Sequence, residues 1–109
     1  MDCRFYLIFQ KARLGVEFYL RRKQACDNKY IFDELFKYKD SIEESFGAEL
    51  KWQRLNEKKA CRVSYSIDFN SYDSDNWADA IEWHLQYIKK IENSLKKPIE
   101  QVRKKLKSR

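Results

Sequence analysis

Two stretches of alternating apolar and polar residues, each followed by a stretch with helical spacing, constrain the fold of this chain more than any other feature. The first alternating stretch covers residues 5–20 and the second covers residues 50–67. A period of two is typical of β-strands, and a short polar connection interrupts each stretch, so each predicts a β-hairpin. Gly15, inside the second strand, predicts a bulge or a tight bend.

The stretches with helical spacing predict two main helices. Apolar residues spaced four and three apart over 31–42 predict the first. Asp40 and Glu43 form an Asp-x-x-Glu pattern of the capping type, which predicts that this helix breaks and restarts there. The second helix is predicted by an apolar stripe over 77–95, and Pro98 predicts a kink or a new start because it removes one helical hydrogen bond.

The predicted order of elements is therefore ββαββα, in a single α+β domain over residues 1–109. An antiparallel sheet would carry both main helices on one face, with the second helix long and kinked near Pro98. The predicted core consists of the residues that alternate or repeat towards that face: Phe5, Leu7, Val16, Phe18, Leu35, Ile42, Leu50, Trp52, Val63, Tyr65, Trp77, Ile81, Ile88 and Ile91.

The net charge of +6 comes from the end of the chain. Residues 1–95 are neutral, with sixteen charges of each sign, and residues 96–109 form a predicted basic helical tail. Such a tail is typical of a solvated helix end, where cations complement the dipole, but it can also contact phosphates. The candidate phosphate contacts are Lys96, Lys97, Arg103, Lys104, Lys105, Lys107 and Arg109.

No apolar run reaches the roughly 18 residues that a membrane span needs, so no membrane association is expected. The three cysteines form no C-x-x-C pair and favour a cytoplasmic protein with reduced thiols. They and the single histidine lack the spacing of metal ligands, and no Gly-rich phosphate loop is present. We therefore expect no metal and no cofactor.

Two candidates for catalysis are weak. Glu49-x-Lys51 matches half of a PD-(D/E)xK nuclease site, but the second carboxylate could come only from Glu17. The same triplet is common on strands whose outer side faces solvent. His84 lies within the apolar stripe of the second helix, where a histidine is usually a buried structural residue. We assign no catalytic residue.

The sheet face away from the helices is the best candidate binding surface. Aromatic and basic residues together can stack nucleic-acid bases and hold phosphates, and the same mixture suits a protein interface. The neutral body favours a protein partner, either a nuclease-like region or a second copy, over nucleic acid; a face without any partner is the third interpretation. The candidate residues are Arg4, Tyr6, Ile8, Tyr19, Arg21, Lys51 and Arg62.

The run from Phe46 to Leu55, FGAELKWQRL, resembles the domain-of-unknown-function family 4268, and its Gly-x-x-Leu-x-Trp pattern is the most specific part. GVEFYL at 15–20, KKACRV at 58–63 and Pro98-Ile99 extend the resemblance over nearly the whole chain. Members typically carry this domain behind a PD-(D/E)xK-like region. The resemblance implies a nuclease-associated accessory domain in a prokaryotic or phage setting, and it carries over no catalytic residue.

These observations predict a non-enzymatic accessory or recognition domain of a nuclease-associated, defence-type family. It would bind a protein partner or nucleic acid through the open sheet face and the basic tail. The alternative is a stand-alone protein-interaction module, either a dimer or an inhibitor. A metal-dependent nuclease is a distant third interpretation.

Overall fold

The computed structural model describes residues 3–22 and 24–108, and the α+β class is confirmed. Both hairpins form at the predicted positions, and a long helix ends the described chain. The elements, in order, are β1 (Cys3–Gln10), β2 (Arg13–Leu20), α1 (Ala25–Phe36), α2 (Lys39–Phe46), β3 (Lys51–Gln53), β4 (Cys61–Asp68) and α3 (Trp77–Lys107), with a 3₁₀ turn (Ser74–Asn76) just before α3.

The four strands form one antiparallel sheet in the order β1-β2-β4-β3. The two hairpins therefore join through β2 and β4, and Val16 of β2 lies between Leu7 of β1 and Tyr65 of β4. This order leaves β1 and β3 as the edges of the sheet.

The predicted bulge at Gly15 is wrong. The pairing of β2 with both neighbours continues in register through Gly15, which lies opposite Ile8 and Ser66. A Cβ atom at this position would lie 3.2 Å from the main-chain oxygen of Tyr65 and 3.3 Å from Ile8 Cβ. The close approach of the neighbouring strands, and not a bend, therefore favours glycine here.

The predicted break in the first helical region is confirmed, because α1 ends at Phe36 and α2 begins at Lys39. The capping box is not formed: Tyr38 occupies the N-cap position and makes no side-chain capping bond. Glu43 instead accepts a hydrogen bond from the main-chain N–H of Leu50, beyond the end of the helix. Gly47 ends α2 in the left-handed conformation, with a φ of 98°.

Helix α3 continues through Pro98, so no new helix starts there, and the kink stays a prediction. Beyond the proline, Val102 is fully buried and Leu106 packs against the core, so the basic half of α3 also holds the fold together. Neither α3 nor any other helix in the described residues combines the length and the apolar character needed to cross a membrane.

The core lies between one sheet face and the helices. The inward residues Val16, Phe18 and Val63 pack with Ile31 and Leu35 of α1, and with α2 and α3. Three residues predicted in the core are exposed, each by half or more: Leu7, Trp77 and Ile81. Leu7 lies on the inward face of β1 and Trp77 lies beside Phe9 of the same strand, but no described element lies outside β1 to cover this side.

Candidate functional site on the open face of the sheet

The register of the sheet brings the predicted binding residues of the strands onto one face. The helices pack against the face that carries Val16, Phe18 and Val63, so the alternate residues lie on the opposite side. We call this side the open sheet face. One row across it contains Arg4, Tyr19, Arg62 and Gln53, the next contains Tyr6, Glu17, Ser64 and Lys51, and a third contains Ile8, Gly15 and Ser66.

An aromatic and guanidinium cluster forms the centre of the open sheet face. The rings of Tyr6 and Tyr19 meet edge to face with centroids 6.1 Å apart. The Arg62 guanidinium lies 5.5 Å from the Tyr19 ring centroid, and its Nη1 lies 3.3 Å from Glu17 Oε1. Tyr19 is thus held between neighbours, whereas Tyr6 is the more exposed ring, at 36%. The pairing with Glu17 also offsets the charge of Arg62.

Two cations flank this cluster. Arg4 on β1 and Lys51 on β3 are both exposed and lie on opposite edges of the sheet. Arg21 directly follows β2 and lines a shallow depression with Tyr19, Arg22 and Lys59. Arg22 and Lys59 were not predicted as site residues, although each belongs to a basic doublet at the end of a predicted strand or turn.

Asn28, a buried residue of α1, holds the main chain of both unpredicted basic residues. Its Oδ1 accepts a hydrogen bond of 2.7 Å from the Arg22 N–H, and its Nδ2 donates to the Arg22 oxygen at 3.0 Å. The same Nδ2 donates to the Lys59 oxygen at 3.0 Å. Because these groups are 6 and 31 residues away from Asn28, only the folded chain brings them together.

The same helix also holds the loop that precedes β4. Lys29 Nζ donates to the carbonyl oxygens of Leu55 and Ala60, at 2.8 and 3.1 Å, and to that of Arg54. Cys61 follows this loop, and burial raises the pKa of its thiol despite the neighbouring Lys29. We assign Lys29 and Asn28 a positioning role at this end of the sheet.

The predicted phosphate contacts lie on the C-terminal half of α3. All six described members are exposed: Lys96, Lys97, Arg103, Lys104, Lys105 and Lys107. Arg109 lies outside the described residues. Arg103 and Lys107 line a second depression together with Arg22. Since Arg22 also borders the depression beside Tyr19, it connects the open sheet face with the basic half of α3.

Lys105 differs from the other basic residues of α3 because it is turned towards α1. Its Nζ lies 3.1 Å from Glu34 Oε2, while Lys37 Nζ contacts the other carboxylate oxygen at 3.0 Å. Hydrogen bonds from Lys37 and Lys105 lower the pKa of Glu34, and the bond to Glu34 raises the pKa of Lys105. Lys105 therefore stabilises the contact between two helices.

The residues of the candidate nuclease motif lie apart in the sheet. Glu17 and Lys51 both lie opposite Ser64, on either side of β4, so about two strand spacings, or roughly 10 Å, separate their backbones. Glu49 is exposed and precedes β3. Among residues 3–22 and 24–108, no three His, Cys, Asp or Glu side chains are grouped so that they could hold a metal ion.

The structural interpretation of His84 is supported by its burial. Its side chain faces the sheet, and Nε2 lies 2.9 Å from the main-chain oxygen of Ile8. Because a carbonyl oxygen can only accept, His84 donates this hydrogen bond from a protonated Nε2. The contact ties the N-terminal third of α3 to edge strand β1.

Comparison with known protein families gives a match. The family model described as "Domain of unknown function (DUF4268)" matches residues 1–99, nearly the whole chain. No curated protein and no solved structure matches the chain.

Proposed function

The chain belongs to the family of domains of unknown function DUF4268, and from this starting point we propose that it is a non-enzymatic recognition domain. It binds a macromolecular partner through the open sheet face, and the basic half of α3 adds charge to the contact. The observation that carries this proposal is the cluster of Tyr6, Tyr19 and Arg62 on a sheet face opposite all the helices.

A protein is the preferred partner. Tyrosine and arginine are enriched at the centres of protein interfaces, where a few such residues supply most of the binding free energy. Arg62 is paired with Glu17, and the charges of residues 1–95 balance, so the centre of the face lacks the unpaired positive charge that a phosphate backbone attracts. The resemblance to the family favours a PD-(D/E)xK-type nuclease region as this partner, which would make the domain an accessory unit.

The test measures binding of the chain to such a nuclease region from a member of the family, by titration calorimetry. Tyr6→Ala should weaken binding about tenfold or more, the effect of losing one interface residue worth over 1 kcal/mol. Ser66→Ala, on the same face but outside the cluster, is the matched control. Absence of wild-type binding, or equal binding by Tyr6→Ala, would contradict the nuclease region as the partner.

Nucleic acid is the second candidate, and the connection through Arg22 favours it. Arg21, Arg22 and Lys59 continue the open sheet face towards Arg103 and Lys107 of α3. Fluorescence anisotropy with single- and double-stranded oligonucleotides at low salt tests this function. Tyr19→Ala should weaken single-strand binding by about 1–3 kcal/mol and leave duplex binding nearly unchanged, because bases stack on rings only when unpaired. A wild-type chain that retains neither oligonucleotide excludes this candidate.

The absence of enzymatic activity is part of the proposal and has its own test. The chain is incubated with DNA and Mg²⁺, and cleavage is followed on a gel. We expect no cleavage beyond that of a control without protein. Cleavage that disappears in Glu49→Ala would show that the chain is a nuclease and not a recognition domain.

A further inference from the structure

A second surface, separate from the open sheet face, exposes large apolar side chains. Five of them lie along β1 and the N-terminal half of α3, each between 49 and 62% exposed: Leu7, Phe9, Trp77, Ile81 and Leu85. We call this the β1–α3 surface. Exposed apolar residues scattered singly are normal, whereas a contiguous group marks an interaction site.

The members of this surface are contiguous. Phe9 meets Trp77 edge to face at 6.4 Å and lies equally close to the ring of His84. Trp77, Ile81 and Leu85 follow at intervals of four on α3, so each lies next to the following one on successive turns. At the other end, a shallow depression of about 500 Å³ continues the surface; it is lined by Phe5, Ile99, Glu92, Lys96 and Arg103, among others.

No strand within residues 3–22 and 24–108 pairs with the outer side of β1, although His84 donates to the main-chain oxygen of Ile8 in this strand. β1 is an edge strand, and in an antiparallel pair every second residue directs its N–H and C=O away from its partner. Proteins usually protect such an edge with a charge, a proline or a bulge, because an open edge pairs with other strands. The one charge within β1 is Arg4 near its start; residues 5–9 contain no charge and no proline, and the pairing with β2 is regular throughout.

The charge of α3 is opposite at the two ends of this surface. Residues 73–88 carry four acidic and no Lys or Arg side chains, whereas residues 89–107 carry eight basic and two acidic ones. Phe9 lies beside the acidic half and Phe5 beside the basic half, so β1 and α3 run in opposite directions along the surface. A two-fold rotation about the middle of β1 would place each acidic half beside the basic half of the other copy.

We propose that the β1–α3 surface binds a second copy of this chain. In this symmetric dimer the two β1 strands lie antiparallel, side by side, and extend the two sheets into one. The apolar residues of both copies are buried together, and both unprotected edges are covered. A symmetric interface must be complementary to itself, and the opposite charges at the two ends of α3 meet that requirement. The dimer leaves the open sheet face free and goes beyond the proposed recognition function.

The mass of the protein in solution tests the dimer. Sedimentation equilibrium of the full chain should give twice the 13.3 kDa of one copy. Leu85→Glu should raise the dimer dissociation constant at least tenfold, because it buries a charge within the apolar contact. Gln86→Glu adds the same charge at the next, exposed position of α3, on another side of the helix, and should leave the dimer unchanged.

Leu7→Lys is a second variant and places two like charges next to the two-fold axis. Circular dichroism and thermal melting establish that each variant is folded, which the exposure of Leu7 and Leu85 leads us to expect. A wild-type chain that stays monomeric at high micromolar concentration overturns the proposal. A dimer that survives both Leu85→Glu and Leu7→Lys, or that Gln86→Glu dissociates equally, overturns it too.

Whether the chain forms this dimer does not depend on whether the open sheet face binds a partner. Tyr19→Ala, on β2 and one strand away from the dimer contact, tests the open sheet face and should leave the dimer unchanged. If the wild type is monomeric and Leu85→Glu abolishes capture of the nuclease region, the β1–α3 surface belongs to that partner and the dimer is wrong.

Discussion

Glu43 on α2 accepts a hydrogen bond of 2.7 Å from the main-chain N–H of Leu50, the residue that leads into β3. The same carboxylate oxygen accepts a bond from Trp52 Nε1 at 3.3 Å, and Lys39 Nζ lies 3.3 Å from the other oxygen. One side chain thus joins a helix end to the start of an edge strand that has only three residues. The contact anchors the start of β3 to α2.

Replacing Glu43 by Gln should destabilise the protein. Hydrogen bonds to a charged group contribute about 1.5–3 kcal/mol each, and a neutral amide retains part of this, so we expect a loss of about 1–3 kcal/mol. Urea unfolding at pH 7 measures the change in the free energy of unfolding. Glu44→Gln, at the exposed neighbouring position, should stay within about 0.5 kcal/mol of wild type.

The effect of Glu43→Gln should depend on pH. Burial of the carboxylate raises its pKa, but the hydrogen bonds from Leu50, Trp52 and Lys39 outweigh burial, so the pKa lies below its ordinary value of 4.5. A carboxylate with a lowered pKa in the folded state adds stability above its unfolded pKa and loses it as the pH falls through its folded pKa. The difference between wild type and Glu43→Gln should therefore be largest above about pH 5 and shrink towards pH 3. A constant difference over that range would contradict the assignment.

Replacing His84 by Asp should cost stability, because it places a charge on the buried side of α3. We expect a loss of about 1–3 kcal/mol in the free energy of unfolding, measured in urea. The matched control is Gln86→Asp, which introduces the same residue two positions away on the exposed side of the helix. Equal stability of the two variants would show that the helix face was assigned incorrectly.

Replacing Val102 by Ala should destabilise the whole domain and not only the end of the helix. Val102 is fully buried, so we expect a loss of about 1–3 kcal/mol with the cooperativity of unfolding retained. Gln101→Ala, at an exposed position, should have little effect. For the same reason, a chain that ends at Lys97 would be deprived of core packing as well as charge, so the basic half of α3 has to be tested by substitution.

Charge substitutions on α3 should change the salt dependence of any nucleic-acid binding. Lys104→Gln combined with Lys107→Gln removes two exposed cations and leaves the ion pair of Lys105 intact. The slope of log K against log salt should flatten by roughly 0.7–0.9 for each phosphate that the variant no longer neutralises. The control variant combines Lys11→Gln and Lys58→Gln, which remove equal charge from exposed turns elsewhere. A slope in the α3 variant equal to that of wild type would show that these α3 lysines bind no phosphates.

Local pattern predicted the elements well, because the period of the apolar residues depends only on neighbours along the chain. That period predicted both hairpins and the long last helix, and the capping pattern at Asp40 and Glu43 predicted the break between α1 and α2. The role of Glu43 did not follow from it. An Asp-x-x-Glu pattern predicts a bond back to the start of the helix, but in the folded chain Glu43 accepts its bond from Leu50, just before β3.

The candidate site was predictable in part. Alternation in the strands placed Arg4, Tyr6, Tyr19 and Arg62 together on one face, and the register of the sheet confirms their proximity. Arg22 and Lys59 could not be assigned to the same site, because Asn28 brings their main chains together across 31 residues. Such a contact leaves no periodic signal.

The sequence by itself determined the α+β class, the faces of the strands and the burial of His84, since each follows from spacing within a single element. Only the tertiary structure decided which strands lie at the edges and therefore which apolar residues are covered. Leu7, Trp77 and Ile81 satisfy the pattern of core residues, yet they are exposed because the described sheet ends at β1. Periodicity identifies the side on which an apolar residue lies, whereas burial also requires a neighbour on that side, and the neighbour depends on long-range pairing of the chain.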